Sequence, residues 1–376
     1  MRSCDGSNAT WTWKSSAWRP DPAALAARTV SESFHHALGQ SSVKVCNGAK
    51  DKSGTSLATG SVGPLGAHDC RRKHGSGFDP RPIRGASRPY RSQGWCTVLL
   101  VPDLSRSASL LRVGSLSLQP VSDGAILQMD PANIFHEARA EDWQPRVSLN
   151  AHGNIELALT CLLVSVGDRQ ILIDTGYGQQ PGRPEVGHLA QHLGELGVWA
   201  NDIDTVVVSH PHGDHIGGAT VGKGDAARPA FPSARYWLGQ ADLEHFSTPE
   251  VLQRAPHIVD TLMPLAAAQR LDLVDAERDI APGVRLLPLP GHTPGHIGVA
   301  LTSRQEVAIY VGDLVHHPLQ IEHPEWSPIF DALPQLSRET RRNLVERARR
   351  ERSLVLTYHF PFPGIGRVGA AGWEPG

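Results

Sequence analysis

The residues best suited to chemistry form a short motif, H-x-H-x-D-H, whose members are His210, His212, Asp214 and His215. His210 and His212 are two residues apart, so an extended backbone would turn both side chains to the same side. Gly213 then allows the chain to turn, which lets Asp214 and His215 face a second point nearby. The spacing therefore indicates two neighbouring binding points rather than one.

Imidazole and carboxylate groups together are the ligand set of zinc and of similar divalent ions. The motif holds four such groups within six residues, which is more than one tetrahedral ion would draw from a single loop. We therefore expect two adjacent divalent metal ions, and zinc is the metal that these ligands favour. Most of the chain's 19 histidines lie outside any such pattern and are expected to be ordinary polar residues.

Three further ligand candidates each follow a predicted strand downstream of the motif. His292 lies in the turn Gly-His-Thr-Pro-Gly-His, Asp313 ends the stretch Val-Gly-Asp, and His359 follows the run Leu-Val-Leu-Thr-Tyr. Side chains at one end of a layered sheet can converge on one place even when they are far apart in sequence. Each candidate is weak alone, but the three of them following the motif in this order predict a shared site.

The elements that must position these residues begin at about residue 106. Two apolar runs within residues 157–176, joined by Gly-Asp-Arg, predict a β-hairpin. Apolar residues at helical spacing follow in residues 186–198, and Thr205–Val208 predicts a buried strand before the motif. Further strands alternate with helical segments, including a helix at about Leu336–Arg350. This mixture predicts layered α/β packing rather than a helical bundle.

Residues 1–105 differ in composition from the rest of the chain. They carry 14 Lys and Arg against 7 Asp and Glu, a net charge of +7, whereas the remaining residues carry a net charge of −9. The stretch is rich in Ser, Gly and Pro, and such composition buries too little apolar surface to offset chain entropy. We expect a disordered or non-native leader over residues 1–105 and a single folded domain over residues 106–376.

Composition narrows the class of protein. The chain has 376 residues, of which 40% are hydrophobic, enough for one large domain or two ordinary ones. No apolar run approaches the roughly 18–20 residues of a membrane-spanning helix, and the first thirty residues contain no apolar core of a secretory signal. A net charge of −2 argues against a nucleic-acid partner, and five scattered cysteines argue against a disulfide framework. We expect a cytoplasmic protein with no nucleic-acid partner and no membrane partner.

From about residue 108 to its C-terminus, the chain resembles the metallo-β-lactamase-fold hydrolases. The matching pieces are Asp174 in Ile-Leu-Ile-Asp-Thr-Gly, the H-x-H-x-D-H motif, His292, Asp313 and His359. The resemblance implies an α/β fold, namely a four-layer αββα sandwich. It also implies two divalent metal ions per chain.

The resemblance further implies how the ligands divide between the two ions. One ion would be held by His210, His212 and His292. The other would be held by Asp214, His215 and His359, and Asp313 would bridge the two ions. Asp174 would orient metal-binding groups from outside the ligand set. Asp214 would also relay a proton to the leaving group, so Asp214 and Asp313 are the implied catalytic residues. His296 matches a family position that is usually structural, so it is not expected to bind metal.

Two segments narrow the branch of the family. Gly312–Trp326 and His359–Val368 resemble methyl parathion hydrolase and related lactonases, whereas the tyrosine that follows the bridging aspartate in homoserine lactonases is missing. The branch implies a hydrolase that uses two zinc ions and a bridging hydroxide to cleave a lactone, ester or phosphotriester bond of a small-molecule substrate. A thioester hydrolase of glyoxalase II type and an iron-dependent oxidoreductase on the same fold are the alternatives. Relatives in this branch are often dimers, so the resemblance also implies a homodimer.

Several residues near the implied site have a role that the sequence leaves open. His316 and His317 follow Asp313, and one of them could contact the substrate while the other lies at the surface or behind the site. Four aromatic residues could wall a substrate pocket or simply pack in the core, namely Trp326, Phe330, Phe360 and Phe362.

Overall fold

Sixteen strands form the frame of the structure, a computed structural model that describes residues 109–376. The first nine are β1 (Leu111–Val113), β2 (Leu116–Met129), β3 (Ile155–Val166), β4 (Arg169–Ile173), β5 (Thr205–Val207), β6 (Thr220–Val221), β7 (Arg228–Pro229), β8 (Arg235–Gly239) and β9 (Leu271–Val274). The others are β10 (Arg278–Ala281), β11 (Val284–Pro288), β12 (Ile297–Ser303), β13 (Glu306–Tyr310), β14 (Leu354–Leu356), β15 (Ile365–Val368) and β16 (Trp373–Pro375). The predicted leader, residues 1–105, lies outside the described residues.

The strands form two mixed sheets of seven strands each and one small pair, β6-β7. The first sheet has the order β1-β2-β3-β4-β5-β8-β9, and its last four strands run parallel to one another. The second sheet has the order β10-β11-β12-β13-β14-β15-β16, in which β13 and β14 are the parallel neighbours. This mixture of parallel and antiparallel pairing agrees with the predicted α/β class.

Ten α-helices lie between these strands within residues 109–376. The α-helices are α1 (Pro131–Ile134), α2 (Ala140–Trp143), α3 (Leu189–Glu195), α4 (Gly213–Ile216), α5 (Gln240–Phe246), α6 (Pro249–Arg254), α7 (His257–Asp260), α8 (Leu262–Ala267), α9 (Leu319–Glu322) and α10 (Pro334–Glu351). Single 3-10 turns occur at Gln144–Arg146, Ala200–Asp202, Gly217–Ala219, Gly224–Ala226 and Gly312–Leu314. Of the helices in this part of the chain, none is long and apolar enough to cross a membrane.

The hairpin predicted from Gly-Asp-Arg is present as β3 and β4. The two strands pair antiparallel, from Leu162 opposite Ile173 to Val166 opposite Arg169. Gly167 in the turn has a φ of 58°, a left-handed conformation that glycine adopts without strain. Strand β5 then lies parallel to β4, so both strands end at the same edge of the first sheet.

Alternation along the strands divides the core into layers. In β13, Ala308 and Tyr310 belong to the large cluster that contains buried residues of both sheets, so they face the space between the sheets. Ile309 lies in a second cluster with Leu344 and Val345 of α10, so it faces that helix. Helix α3 packs on β2 of the first sheet. The predicted helix–sheet–sheet–helix sandwich is therefore confirmed.

The strands that precede the predicted ligands all run toward one edge. Strands β11 and β13 are both antiparallel to β12, so they point in the same direction, and β14 is parallel to β13. The edge of the second sheet meets that of the first through a hydrogen bond from Ile297 N to Ser209 O, of 2.9 Å. A second bond joins Thr160 N to Tyr358 O, at 3.1 Å. The loops after these strands therefore meet at the junction of the two sheets.

Residues 130–154, between β2 and β3, have no element predicted from their pattern but form α1 and α2. Phe135, just after α1, stacks on Trp143 of α2 with ring centroids 5.3 Å apart. Phe135 also meets the edge of Trp326 at 5.8 Å, within a buried apolar cluster. This connection packs the chain before β3 against the segment that follows Asp313.

Candidate metal centre

The H-x-H-x-D-H motif starts on extended backbone after β5 and ends in the short helix α4. His212 directly precedes α4 with extended dihedrals, φ −69° and ψ 153°. Its carbonyl accepts hydrogen bonds from the backbone N–H groups of His215 and Ile216, both at 3.0 Å. His210 and His212 therefore project from extended chain, whereas Asp214 and His215 project from the first turn of a helix. This change of backbone separates the motif into the two pairs that its spacing indicated.

The first ligand group consists of His210, His212, His292 and Asp313, whose ligand atoms all lie within 4.8 Å of one another. His212 Nδ1 is 2.8 Å from His210 Nε2 and 3.0 Å from His292 Nε2. Asp313 Oδ2 is 3.4 Å from His292 Nε2. Three imidazoles and a carboxylate thus converge on one point, although they come from three separate loops.

The second ligand group consists of Asp214, His215 and His359, also within 4.8 Å. Asp214 Oδ2 is 3.5 Å from His359 Nε2 and 3.6 Å from His215 Nε2. Asp313 reaches this group as well, because its Oδ1 is 3.2 Å from His215 Nε2 and its Oδ2 is 3.3 Å from His359 Nε2. Asp313 therefore stands between the two groups.

The donor set fits divalent metal ions of the zinc type. Lone pairs of several imidazole nitrogens aimed at one another repel unless a cation or shared protons lie between them. In addition, His215 Nε2 and Asp313 Oδ1 are buried and form no hydrogen bond, although buried polar atoms are almost always paired. Nitrogen and carboxylate ligands in groups of three and four match the coordination that zinc prefers.

Electrostatics in the first ligand group favour the protonation states that metal ligands need. Burial and the neighbouring imidazoles hold the pKa of His210 and of His212 well below the usual value, so both rings are neutral at neutral pH. Burial alone would raise the pKa of Asp313, but His215, His359 and other histidines outweigh it and hold that pKa well below its usual range. Neutral imidazole and ionised carboxylate are the forms that bind metal ions. In the second group, burial lowers the pKa of His215 and of His359, but Asp313 and Asp214 outweigh it and raise both values.

Asp174 lies directly after β4 and supports the second ligand group from outside it. Its φ of 58° is left-handed, which is uncommon for a residue other than glycine. Its carboxylate accepts hydrogen bonds from Ser209 N, Ser209 Oγ and Tyr310 OH, each at 2.7 Å. It also accepts one from His215 Nδ1, at 2.9 Å. The carboxylate is fully buried, and its bond to His215 leaves Nε2 of that ring free to face the ligand group.

His296 lies behind Asp313 rather than among the ligands. Its Nε2 accepts a hydrogen bond from Asp313 N, and its Nδ1 donates to Leu289 O, both at 3.1 Å. Burial lowers the pKa of His296 to about 3, which keeps the ring neutral. Gly312 has a φ of 51°, and a Cβ there would lie 2.7 Å from His296 Nε2, so no larger residue fits.

Of the two histidines after Asp313, His316 lies at the site and His317 does not. His316 Nε2 is 3.2 Å from Asp313 Oδ2, and its ring stacks on His359 with centroids 5.3 Å apart. These three residues form a third group whose ligand atoms lie within 4.8 Å of one another. Its Nδ1 is buried and has no hydrogen-bond partner. His317 instead meets the edge of Phe135 at 5.2 Å, and burial lowers its pKa to about 4.

The four aromatic candidates occupy different places. Phe330 lies beside His316, with ring centroids 5.9 Å apart. Trp326 packs in the cluster around Phe135, and Phe360 is buried against Trp373 at 4.9 Å. Phe362 is partly exposed in the loop after β14. Phe330 is therefore the one of the four whose ring contacts a side chain of the site.

Two aspartates that the sequence analysis did not single out support the turn that carries His292. Asp242, in α5, accepts hydrogen bonds from Thr293 Oγ1 and Gly295 N, both at 2.7 Å. Asp331 accepts one from His292 Nδ1, at 3.1 Å. Asp242 lies 51 residues before Thr293 and Asp331 lies 39 residues after His292, so local spacing carries no signal for either contact.

The comparisons with known proteins agree with this geometry. The sequence profile of the Metallo-beta-lactamase superfamily matches residues 156–359, a range that contains Asp174 and all of the predicted ligands. The matched range spans the motif, most strands of both sheets and the loops that meet at their junction.

Two curated proteins illustrate the similarity in sequence. A "Probable metallo-hydrolase" of Mycobacterium tuberculosis is 30% identical over 198 residues, which cover 45% of this chain and 60% of that protein. An N-acyl homoserine lactonase of Agrobacterium fabrum is 31% identical over 172 residues, which cover 39% of this chain and 59% of that protein. The chain thus spans about 60% of the length of these two curated relatives.

Two solved structures are similar over nearly their whole length. A dizinc quorum-quenching lactonase in complex with a product has a TM-score of 0.64 and 24% identity, covering 73% of this chain and 98% of that one. A hydrolase in the beta lactamase superfamily has a TM-score of 0.64 and 23% identity, covering 72% of this chain and 98% of that one. At such identities the likeness is one of fold.

Proposed function

The chain belongs to the metallo-beta-lactamase superfamily, and from that premise we propose that it is a hydrolase with a dinuclear zinc site that opens a lactone ring in a small molecule. The observation that carries the proposal is the convergence of two ligand groups that share Asp313. Seven nitrogen and carboxylate ligands arranged in this way suit two neighbouring divalent ions.

In the proposed mechanism, His210, His212 and His292 would hold one ion, and Asp214, His215 and His359 would hold the other. Asp313 would bridge them, since its two carboxylate oxygens face different histidines. When bound, such ions polarise the substrate's carbonyl oxygen and lower the pKa of water toward neutrality, so that hydroxide is available as the nucleophile. The protein then needs no serine or cysteine nucleophile, and buried Cys161, whose thiol pKa is raised by burial, supplies none.

Asp214 is the proposed proton carrier. Its side chain is 14% exposed, against 4% for Asp313, so it is the ligand carboxylate nearer the open side of the site. Opening a lactone releases an alkoxide oxygen that must gain a proton. The ionised carboxylate of Asp214 would take the proton that the attacking water gives up and pass it to the ring oxygen as the bond from that oxygen to the carbonyl carbon breaks.

His316 and Phe330 support a lactone with an apolar substituent as the substrate. His316 lies beside Asp313 without being one of the seven proposed ligands, so its ring would be available to donate a hydrogen bond to a carbonyl or ring oxygen, while Phe330 offers an apolar face beside it. The N-acyl homoserine lactonase of Agrobacterium fabrum, to which the chain is similar, acts on a lactone of this kind by its name. The test distinguishes lactone opening from cleavage of an ester, a phosphotriester or a thioester, and from an iron-dependent oxidoreductase.

The test is a comparison of turnover by zinc-loaded full-length protein. We would measure kcat/KM on an acyl-homoserine lactone, a simple γ-lactone, an aryl phosphotriester and a glutathione thioester, each with and without chelator, alongside metal analysis. The proposal expects chelator-sensitive turnover led by a lactone and two zinc ions per chain. Faster turnover of the phosphotriester or the thioester would show that the substrate is not a lactone. Purification with bound iron would favour the oxidoreductase alternative.

A further inference from the structure

A buried ion pair lies next to the first ligand group but outside the ligand set. Asp331 Oδ2 is 3.2 Å from Arg341 Nη2, and both side chains are completely buried. Burying two charges costs several kcal/mol per ion unless further bonds satisfy their remaining atoms. The further contacts of Asp331 and of Arg341 therefore indicate which parts of the site this ion pair positions.

Asp331 directs its other oxygen at a metal ligand. Its Oδ1 is 3.1 Å from His292 Nδ1, and because an ionised carboxylate only accepts, His292 must carry its hydrogen on Nδ1. This leaves the lone pair of His292 Nε2 free, and that atom lies 3.0 Å from His212 Nδ1 within the first ligand group. The contact thus sets both the tautomer and the ring orientation of His292.

Arg341 holds Asp331 and the chain that leads to it. Its guanidinium donates to Leu314 O at 2.7 Å, Trp326 O at 2.8 Å and Pro324 O at 3.0 Å. It also donates to Ser337 Oγ at 3.2 Å, within the same helix α10. One side chain therefore fastens both ends and the middle of the segment between the bridging aspartate and Asp331, as the rigid planar fork of arginine allows.

We infer that Asp331 is a positioning residue for the metal at the first ligand group, acting through His292, and that Arg341 holds Asp331 in the required orientation. The inference rests on the proposed dinuclear site. It assigns to each ligand group its own supporting carboxylate, because Asp174 makes the equivalent contact to His215 in the second group.

The test compares zinc affinity in Asp331→Asn and Arg341→Lys with that of the wild type, by competition against a chromophoric zinc chelator. The Asp331→Asn change keeps the shape of the side chain but turns an amide donor toward either His292 or Arg341. We expect the affinity for one of the two ions to fall by about 10- to 100-fold and that for the other to stay unchanged. His292→Ala identifies which of the two dissociation constants belongs to the first ligand group. Arg341→Lys should lower the affinity for the same ion by a smaller factor.

Two further readouts separate positioning from a merely structural role. The absorption spectrum of the cobalt-substituted protein should change in Asp331→Asn, because ligand geometry at one ion changes. Asp279→Asn, which breaks an exposed pair with Arg285, is the matched control and should leave both affinities and the spectrum at wild-type values. The metal-free proteins are compared by thermal unfolding.

The outcomes are distinct. If Asp331→Asn unfolds at a lower temperature without metal but binds both zinc ions with wild-type affinity and spectrum, the pair is structural and the inference is wrong. If Asp331→Asn does not fold, zinc affinity and the cobalt spectrum of the milder Arg341→Lys variant test the inference instead. Wild-type values of both in Arg341→Lys would contradict it. If the wild type itself fails to bind two ions, the proposed function fails before the role of Asp331 is in question.

Discussion

At Asp313, the two oxygens of one carboxylate face different sets of histidines. Oδ1 lies 3.2 Å from His215 Nε2, and Oδ2 lies 3.2–3.4 Å from Nε2 of His292, His316 and His359. The backbone N–H of Asp313 donates to His296, which fixes the backbone from which the carboxylate projects. A single residue thereby links loops that are far apart in sequence.

Removing Asp214 should empty one of the two metal positions. Asp214→Ala takes its own carboxylate from the second ligand group, which leaves His215, His359 and the shared Asp313 there. We expect loss of one ion and a fall in kcat/KM of about 10³-fold, since a metal ion contributes several kcal/mol to the transition state. Metal analysis and steady-state kinetics would check this. Asp225→Ala, at an exposed turn, is the control, and wild-type metal content and rate in Asp214→Ala would refute the assignment.

His316 and His317 form a matched pair for testing substrate contact. His316→Ala should keep both ions but lose a hydrogen bond to the substrate, lowering kcat/KM by about 10- to 100-fold. His317→Ala should lower the unfolding temperature, because its ring packs on Phe135, and leave kcat/KM near the wild-type value. Equal kinetics in the two variants would show that His316 does not contact the substrate.

At the scale of elements, the site depends on contacts between helix ends and the turns that follow the strands. The turn that carries His292 is tied to α5 by Asp242 and packs closely on the start of that helix. A Cβ on Gly295 would lie 2.4 Å from Asp242 N, and one on Gly239 would lie 1.9 Å from Gly295 O. The two backbones approach so closely that only glycine fits at both positions.

The burial of Asp242 predicts a pH dependence of stability in the metal-free protein. Burial raises the pKa of Asp242 to about 7, against about 3.9 in an unfolded chain. Between these values the folded state holds a proton that the unfolded state lacks. The free energy of unfolding should therefore fall as pH rises from about 4 to about 7, by at most about 1.4 kcal/mol per pH unit from this group.

Urea unfolding of the chelated protein across this pH range would measure the effect. Asp242→Asn cannot titrate, so its free energy of unfolding should depend on pH less steeply than that of the wild type. Asp168→Asn, in the exposed turn between β3 and β4, should keep the wild-type slope. Parallel curves for wild type and Asp242→Asn would mean that folding does not raise the pKa of Asp242.

At the scale of the whole molecule, the candidate metal centre lies where the two sheets meet. The first sheet supplies Asp174 and the motif, and the second supplies His292, Asp313 and His359. The hydrogen bond from Tyr310 OH to Asp174, at 2.7 Å, crosses the same junction. Metal binding should therefore hold the two halves of the sandwich together.

Chelation should lower the thermal stability of the fold. A ligand that binds only the folded state at about 100 times its Kd adds about 2.7 kcal/mol to the free energy of unfolding. We expect the unfolding temperature to drop when zinc is removed and to return when zinc is added back. Asp214→Ala, which retains one ion, should show a smaller drop than the wild type. No change on chelation would indicate that the ions do not couple the sheets.

Much of this architecture follows from local sequence pattern. The hairpin of β3 and β4 and the helix at Pro334–Glu351 were predicted because the alternation and spacing of apolar residues depend only on near neighbours. The family resemblance and the α/β sandwich are confirmed, by the superfamily profile and by the two sheets with their helices. The division of ligands between two ions, the boundary at residue 106 and the homodimer stay predictions.

The sequence by itself determined which residue types stand at the strand ends, because a turn motif such as H-x-H-x-D-H sets its own local geometry. Only the tertiary structure decided which distant groups support them. Asp331, Asp242 and Arg341 lie in stretches without a motif, and their roles come from side chains that meet across many residues. The choice of a buried polar partner depends on which elements pack together, and local spacing does not encode that choice.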